Sequence, residues 1–266
     1  MGRTDDYIAV FDSGVGGISV LRHLLQELPH ERFLYFGDSA NAPYGVRPME
    51  EVQALVLQAA DRLISRNVKA LVVACNTAAA TSAELLRSTY PGFPIICIEP
   101  AVKPAADRFP GGRIGVMATP ATMESPRFKR LLARFDGVCE FVLLPAPGLP
   151  ELVEADKQNG PEGEALLRPL LDPYAGKLDA VVLGCTHYPF AEEMLLKILG
   201  KQTVLLDGGP GVARQTRRRL EELGLLREGE GELVIENSLP GQSMEALCKR
   251  LNDALEDKSF VTWSKP

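Results

Sequence analysis

Two apolar, valine-rich segments, each ending in a cysteine, constrain the fold of this chain more than any other feature. The first is Ala-Leu-Val-Val-Ala-Cys-Asn-Thr at 70–77, and the second is Ala-Val-Val-Leu-Gly-Cys-Thr-His at 180–187. A continuous apolar run of this length predicts a buried strand of a parallel sheet, and open α/β sheets bind ligands at the carboxyl ends of such strands. Cys75 and Cys185 are therefore either two unrelated core thiols or one site built from two halves.

Predicted strands repeat in the same order across the two halves of the chain. Those at 7–11, 33–36, 70–75 and 95–99 correspond to those at 113–117, 141–144, 180–185 and 203–207. The offset between partners stays between 106 and 110 residues, which indicates an internal duplication. Strands that alternate with helices form parallel sheets with right-handed crossovers. The sequence predicts an α/β fold: two similar parallel-sheet α/β domains related by internal duplication, with the active site in the cleft between them.

We expect residues 1–98 and 209–266 to form the first domain and residues 99–208 to form the second. The segment Asp-Gly-Gly-Pro at 207–210 suits a hinge back toward the first domain. The tail is predicted to contain a helix at 212–223, a strand at 232–236, a helix at 243–255 and a frayed end at 258–266.

Composition and charge narrow the class of protein. The chain is 45% hydrophobic and 24% charged, as soluble globular proteins are, and its net charge of −6 argues against a broad nucleic-acid-binding surface. No apolar run is long enough to span a membrane. Five scattered cysteines and three histidines show no metal-ligand spacing, so we expect no metal, no disulfide scaffold and a cytoplasmic protein with reduced thiols.

Cys75 and Cys185 are the candidate reactive groups. A thiolate at the carboxyl end of a strand is favoured by the dipole and N–H groups of a following helix. A single buried cysteine is usually a small packing residue, but two at equivalent points of a duplicated unit favour a shared site. Two facing thiols suit removal of a proton from a carbon beside a carboxylate and its return to the opposite face, with inversion. A disulfide is the alternative, which a reducing compartment disfavours.

Three further features near the predicted strand ends have two interpretations each. The loop Asp-Ser-Gly-Val-Gly-Gly at 12–17 either binds a phosphate or carboxylate with its backbone amides or is only a tight turn. His187 lies two residues after Cys185 and either tunes that thiol or binds backbone. Asp12 and Glu154 are acidic loop residues that either accept a thiol proton or are solvated.

Four motifs together resemble the glutamate racemases of the aspartate/glutamate racemase family, with matching order and spacing from about residue 8 to 210. They are Asp-Ser-Gly-Val-Gly-Gly at 12–17, Pro-Tyr-Gly at 43–45, Ala-Cys-Asn-Thr at 74–77 and Gly-Cys-Thr-His-Tyr-Pro at 184–189. The resemblance implies cofactor-independent interconversion of L- and D-glutamate, with the D-isomer used for peptidoglycan. Many relatives have a cysteine where this chain has Ala146. This difference affects the loop before Glu154 and does not involve either candidate base.

The resemblance also implies a role for each matching residue. Cys75 would handle the proton of the D-isomer, assisted by Asp12, and Cys185 that of the L-isomer, assisted by Glu154 and His187. The implied substrate contacts are Asp12, Ser13, Tyr44, Gly45, Asn76, Thr77, Thr119, Thr186 and His187. The implied partners are glutamate and, in a homodimer, a second copy of the chain, with no nucleic acid and no membrane.

Three other functions are weighed against glutamate racemisation. One is a related racemase acting on aspartate, which is one methylene shorter. Another is a non-catalytic binding or regulatory protein, because the resemblance extends to racemases that inhibit DNA gyrase. The third is a pyridoxal-dependent racemase, which needs a Schiff-base lysine among Lys69, Lys103 and Lys177 and leaves the paired cysteines unexplained.

Overall fold

Two parallel sheets organise the chain in the computed structural model, which describes residues 4–239 and 261–263. The described strands are β1 (Tyr7–Asp12), β2 (Arg32–Gly37), β3 (Val68–Val73), β4 (Ile95–Cys97), β5 (Arg113–Ala118), β6 (Glu140–Pro145), β7 (Ala180–Gly184), β8 (Val204–Asp207), β9 (Glu232–Asn237) and β10 (Val261–Trp263). The first sheet has the order β10-β9-β2-β1-β3-β4 and the second β6-β5-β7-β8. Every pairing is parallel.

The second sheet repeats the order of four strands of the first, since β2-β1-β3-β4 corresponds to β6-β5-β7-β8. This confirms the predicted fold of two similar parallel-sheet α/β domains. Both β3 and β7, which precede the two cysteines, are buried along their whole length. The apolar runs at 70–73 in β3 and 180–183 in β7 reflect this, because a parallel strand is covered by helices on both faces, and the one charged residue of β3, Lys69, is buried in an ion pair.

Helices connect the strands. They are α1 (Ile18–Glu27), α2 (Met49–Ile64), α3 (Asn76–Thr89), α4 (Val102–Arg108), α5 (Pro120–Glu124), α6 (Pro126–Ala133), α7 (Leu149–Glu154), α8 (Pro161–Leu171), α9 (Glu192–Leu199) and α10 (Gly209–Glu222). Short 3₁₀ turns occupy Ser39–Asn41, Tyr44–Val46, Asp172–Tyr174 and Tyr188–Ala191. Prolines in the first turns of α5 to α8 supply a fixed φ suited to a helix start. No helix in the described ranges is both long and apolar enough to cross a membrane.

The tail after the second sheet returns to the first. Helix α10 packs against α1, and β9 pairs with β2 at the position predicted for a strand. The expectation of a frayed end is wrong for Val261–Trp263, which pairs with β9. The helix predicted at 243–255 lies outside the described residues, and the domain boundaries at 98/99 and 208/209 stay a prediction.

A buried ion pair fixes the amino ends of the first sheet's strands. Lys69 Nζ lies 2.5 Å from Glu31 Oε2, and both side chains are at most 1% exposed. The same Nζ donates to the carbonyls of Thr4 and Leu225, at 2.6 and 2.8 Å. The backbone N–H of Arg227 donates to the other Glu31 oxygen at 3.0 Å. The pair therefore joins the segment before β1 and the segment after α10 to the sheet.

Candidate active site

Cys75 lies where β3 ends and α3 begins, and it is the N-cap of that helix. Its sulfur accepts the backbone N–H of Ala78 at 3.4 Å and lies 3.3 Å from Ser13 Oγ. Burial and the nearby charge of Asp12 raise the pKa of the Cys75 thiol to about 12, although the bonds from Ser13 and Ala78 oppose this. Cys75 is therefore a protonated thiol at neutral pH and is suited to donate a proton.

Cys185 occupies the matching point after β7 but has different surroundings. A 3₁₀ turn at Tyr188–Ala191 separates it from α9, so the sulfur is not at a helix amino terminus as the sequence predicts. The sulfur instead lies 3.8 Å from Nδ1 of His187. The helix dipole that assists one thiol is thus replaced by an imidazole at the other.

His187 is held between Cys185 and Glu154. Its Nε2 lies 2.9 Å from Glu154 Oε1, and its side chain is 7% exposed. Burial alone lowers the pKa of His187, but the hydrogen bonds with Cys185 and Glu154 outweigh burial and raise the pKa to about 10. At neutral pH the ring is therefore an imidazolium, with one nitrogen facing the Cys185 sulfur and the other facing Glu154.

Asp12 lies between the two sheets rather than on one thiol. Its two carboxylate oxygens accept the backbone N–H of Gly14 at 3.0 Å and the hydroxyl of Thr186 at 3.1 Å. Burial raises the pKa of Asp12, against the charge of His187 and these two bonds. The predicted link between Asp12 and Cys75 is electrostatic, because the charge of Asp12 raises the pKa of the Cys75 thiol. The hydroxyl that donates to Asp12 belongs to Thr186, in the opposite half of the chain.

The glycines of the loop at 12–17 allow the two halves to approach closely. A Cβ on Gly16 would lie 2.5 Å from His187 Nδ1 and 2.6 Å from Thr186 Oγ1. A Cβ on Gly14 would lie 3.1 Å from Glu154 Oε1. Neither the anion loop nor the simple turn expected from the sequence includes this role. The loop therefore forms part of the wall against which His187 and Glu154 pack.

Three threonine hydroxyls join the halves on the other side of the thiols. Thr77 Oγ1 lies 2.9 Å from Thr119 Oγ1 and 3.2 Å from Thr122 Oγ1, and Thr119 and Thr122 are 2.9 Å apart. Gly45 packs against Thr119, where a Cβ would approach its Cγ2 to 2.7 Å. Thr122 was missed by the sequence analysis, although Thr119 followed by Pro120 is a helix-start signal that places it one turn on.

Asn76 and Tyr44 complete the predicted set. Asn76 Oδ1 is buried and has no hydrogen-bond partner within residues 4–239, so it can accept a hydrogen bond from a ligand. The hydroxyl of Tyr44 donates to Asp38 Oδ2 at 2.6 Å, and burial raises the pKa of Tyr44. The sequence analysis did not single out Asp38, which holds this tyrosine in place.

These residues surround one cavity of about 210 Å³, smaller than the ~300–1,000 Å³ typical of drug-sized ligands. Its lining contains Ser13, Tyr44, Gly45, Cys75, Asn76, Thr77, Thr119, Glu154, Cys185, Thr186 and His187, and Asp12 lies just behind it. A larger groove of about 910 Å³, lined by Cys97 among others, contains neither thiol of the predicted pair. We therefore assign the chemistry to the smaller cavity.

Comparison with known proteins identifies the family. The sequence model of the Asp/Glu/Hydantoin racemase family matches residues 13–216, more than half of the chain. The chain belongs to this family. A glutamate racemase from Clostridium novyi (strain NT) is 48% identical over 236 residues, covering 87% of this chain and 91% of the relative.

Solved structures of the family agree with the fold. A glutamate racemase isoform from Bacillus anthracis superposes with a TM-score of 0.85 at 29% identity, covering 98% of each chain. A glutamate racemase from Francisella tularensis in complex with D-glutamate gives a TM-score of 0.84 at 26% identity, again covering 98% of each chain. The resemblance inferred from the motifs is confirmed: the chain is an enzyme, an isomerase that acts on amino acids.

The other cysteines and the lysines that the structure describes do not line this cavity. Cys97 and Cys139 are half-buried and do not line the cavity, and Cys248 lies outside the described residues. No lysine is among the residues that line the cavity, and Lys69 is committed to its buried ion pair. The positions of the described lysines therefore give no support to a Schiff-base mechanism at this cavity.

Proposed function

We propose that the chain interconverts L- and D-glutamate without a cofactor, by proton transfer between Cys185 and Cys75. The observation that carries the proposal is that the two thiols line one cavity and have different neighbours, Ser13 Oγ at 3.3 Å from the Cys75 sulfur and His187 Nδ1 at 3.8 Å from the Cys185 sulfur. Cys75 is held as a thiol, with a pKa raised to about 12, while Cys185 faces the imidazolium of His187. A two-base racemase needs one base and one acid at the same moment, and these surroundings provide that pair.

In the direction from L to D, the Cys185 thiolate removes the α-proton and Cys75 delivers its proton to the opposite face. The carbon–hydrogen bond breaks toward one sulfur and a new one forms from the other, so the α-carbon is inverted and no electrons are lost. The enzyme is left with a Cys185 thiol and a Cys75 thiolate. Proton exchange, or the reverse reaction starting from D-glutamate, restores the starting state.

Among the described residues, neither lysine nor arginine lines the cavity, so we expect other donors to bind the substrate carboxylates. Backbone N–H groups and the hydroxyls of Ser13 and Thr77 are the donors available, because the Thr186 hydroxyl donates to Asp12, and Asn76 Oδ1 suits the substrate ammonium. The relatives named glutamate racemase, one of them bound to D-glutamate, favour glutamate over aspartate. We extend the proposal to a cytoplasmic enzyme that supplies D-glutamate for peptidoglycan; the homodimer stays a prediction.

Circular dichroism of L-glutamate solutions tests the proposal, using protein dialysed against a chelator and free of pyridoxal phosphate. We expect loss of optical activity, with a slower reaction on L-aspartate. Cys75→Ser and Cys185→Ser should each lower the rate by about 10²–10⁴-fold, the usual contribution of one acid or base. Cys97→Ser is the matched control and should keep full activity. Faster racemisation of aspartate would overturn the substrate, and full activity in either active-site variant would overturn the two-base mechanism.

A further inference from the structure

Strand β9 ends beside the active-site cavity. Its last residue, Asn237, pairs with Gly37 at the end of β2. Carboxyl ends of parallel strands share one edge of a sheet, so Asn237 lies at the edge that carries Asp12. A Cβ on Gly37 would lie 2.8 Å from Asn237 Nδ2 and 2.3 Å from the Gly14 carbonyl oxygen, which shows how tightly these segments pack.

Three hydrogen bonds join the end of β9 to the loop that follows β2. Asn237 Nδ2 donates to Ser39 Oγ at 2.8 Å, and the backbone N–H of Ala40 donates to Ser238 Oγ at 2.8 Å. The backbone N–H of Ser238 also donates to the Gly37 carbonyl at 2.9 Å. The start of the loop is therefore held from the tail of the chain, about 200 residues further on.

The same loop carries residues of the cavity wall. Ser39, Tyr44 and Gly45 line the cavity. Asp38, the first residue of the loop, accepts the Tyr44 hydroxyl at 2.6 Å and the Asn41 side-chain amide at 3.0 Å. A contact at Ser39 is thus one residue away from the carboxylate that orients Tyr44.

We propose that Asn237 and Ser238 are positioning residues for racemisation, holding the loop at 38–45 in the conformation that binds substrate. The kinetic part of this inference rests on the proposed function, and the structural part does not. Because the loop is already ordered in the free enzyme, substrate binding does not have to offset the entropy that the loop would lose on becoming ordered. The benefit applies equally to bound substrate and transition state, so it should affect KM rather than kcat.

Steady-state kinetics of Asn237→Ala test the kinetic part. We expect KM for both glutamate enantiomers to rise roughly three- to tenfold, the range for one lost hydrogen bond, while kcat changes less than twofold. Asn67→Ala is the matched control, because Asn67 is an exposed asparagine just before β3, at the opposite edge of the same sheet. Ser39→Ala should raise KM similarly, and the double variant should be no worse than either single one, because both remove the same bond.

Hydrogen–deuterium exchange of the free protein tests the structural part without any substrate. Peptides covering 38–47 should exchange roughly three- to tenfold faster in Asn237→Ala and in Ser39→Ala than in the wild type or Asn67→Ala. If racemisation itself fails, this exchange still decides whether the tail holds the loop. Unchanged exchange in Ser39→Ala, unchanged KM in Asn237→Ala with an active wild type, or additive KM effects in the double variant would overturn the inference.

Discussion

Replacing Glu154 with glutamine removes the charge that keeps His187 protonated while preserving the shape of the side chain. Glu154 Oε1 lies 2.9 Å from His187 Nε2. At an effective dielectric constant near 20, opposite charges about 4 Å apart attract by ~4 kcal/mol. Because the Glu154 side chain is 34% exposed, solvent screening reduces this to ~1–2 kcal/mol, roughly a tenfold change in the proton affinity of the imidazole.

The sign of the pH effect follows from the raised pKa of His187, about 10. The imidazolium is present below this pKa and is lost as pH rises through it, so kcat/KM should fall on the basic side. In Glu154→Gln the basic limb should begin roughly one pH unit lower, with little difference from wild type near neutral pH. L- and D-glutamate have equal free energies, so kcat/KM must fall equally in both directions.

Initial rates from each enantiomer across the basic pH range measure this effect. Glu151→Gln is the matched control, because Glu151 lines the same cavity on the same helix and has no hydrogen bond to His187 among the described contacts. A basic limb that coincides in wild type and Glu154→Gln would refute the claim that Glu154 sustains the imidazolium. The same is true if Glu151→Gln moves the limb equally far.

Two further predictions concern packing and stability. Gly16→Ala places a methyl group 2.5 Å from His187 Nδ1 and 2.6 Å from Thr186 Oγ1, so both side chains must shift and kcat/KM should fall at least tenfold. Gly211→Ala, where a Cβ meets nothing within 4 Å, should leave activity unchanged, as steady-state assays would show. Lys69→Met leaves the Glu31 carboxylate buried and unpaired, so urea denaturation should show a free energy of unfolding lower by ~3–5 kcal/mol. The double variant Lys69→Met with Glu31→Gln should recover most of this stability, and an equal loss in the double variant would contradict this reasoning.

The sequence predicts the strands and the site for the same physical reason. A fully buried parallel strand is predominantly apolar, so the runs at 70–73 in β3 and 180–183 in β7 can be recognised from composition, and the polar residues shortly after them mark the ligand edge of the sheet. Duplication then pairs Cys75 with Cys185. Nothing beyond strand periodicity and this repeat is needed to reach the two thiols.

Contacts between distant segments are what the sequence alone does not reveal. The bond from Asn237 to Ser39 joins residues 198 positions apart, and the orientation of Tyr44 by Asp38 depends on how one loop folds back on itself. The glycines of the loop at 12–17 predict a turn locally, but their close contact with His187 depends on how the two halves pack. The pattern of apolar residues along a segment carries no information about such contacts between distant segments.

The central claim is that two thiols act as separate bases on opposite faces of one carbon. The most direct test is to incubate each glutamate enantiomer in deuterated water and analyse the α-position of both enantiomers before much product forms. The account predicts that the product enantiomer carries deuterium while the remaining substrate keeps its original hydrogen, because the second thiol supplies a solvent-derived proton. Early product that retains the substrate's own hydrogen would contradict the account, since that result requires a single base serving both faces.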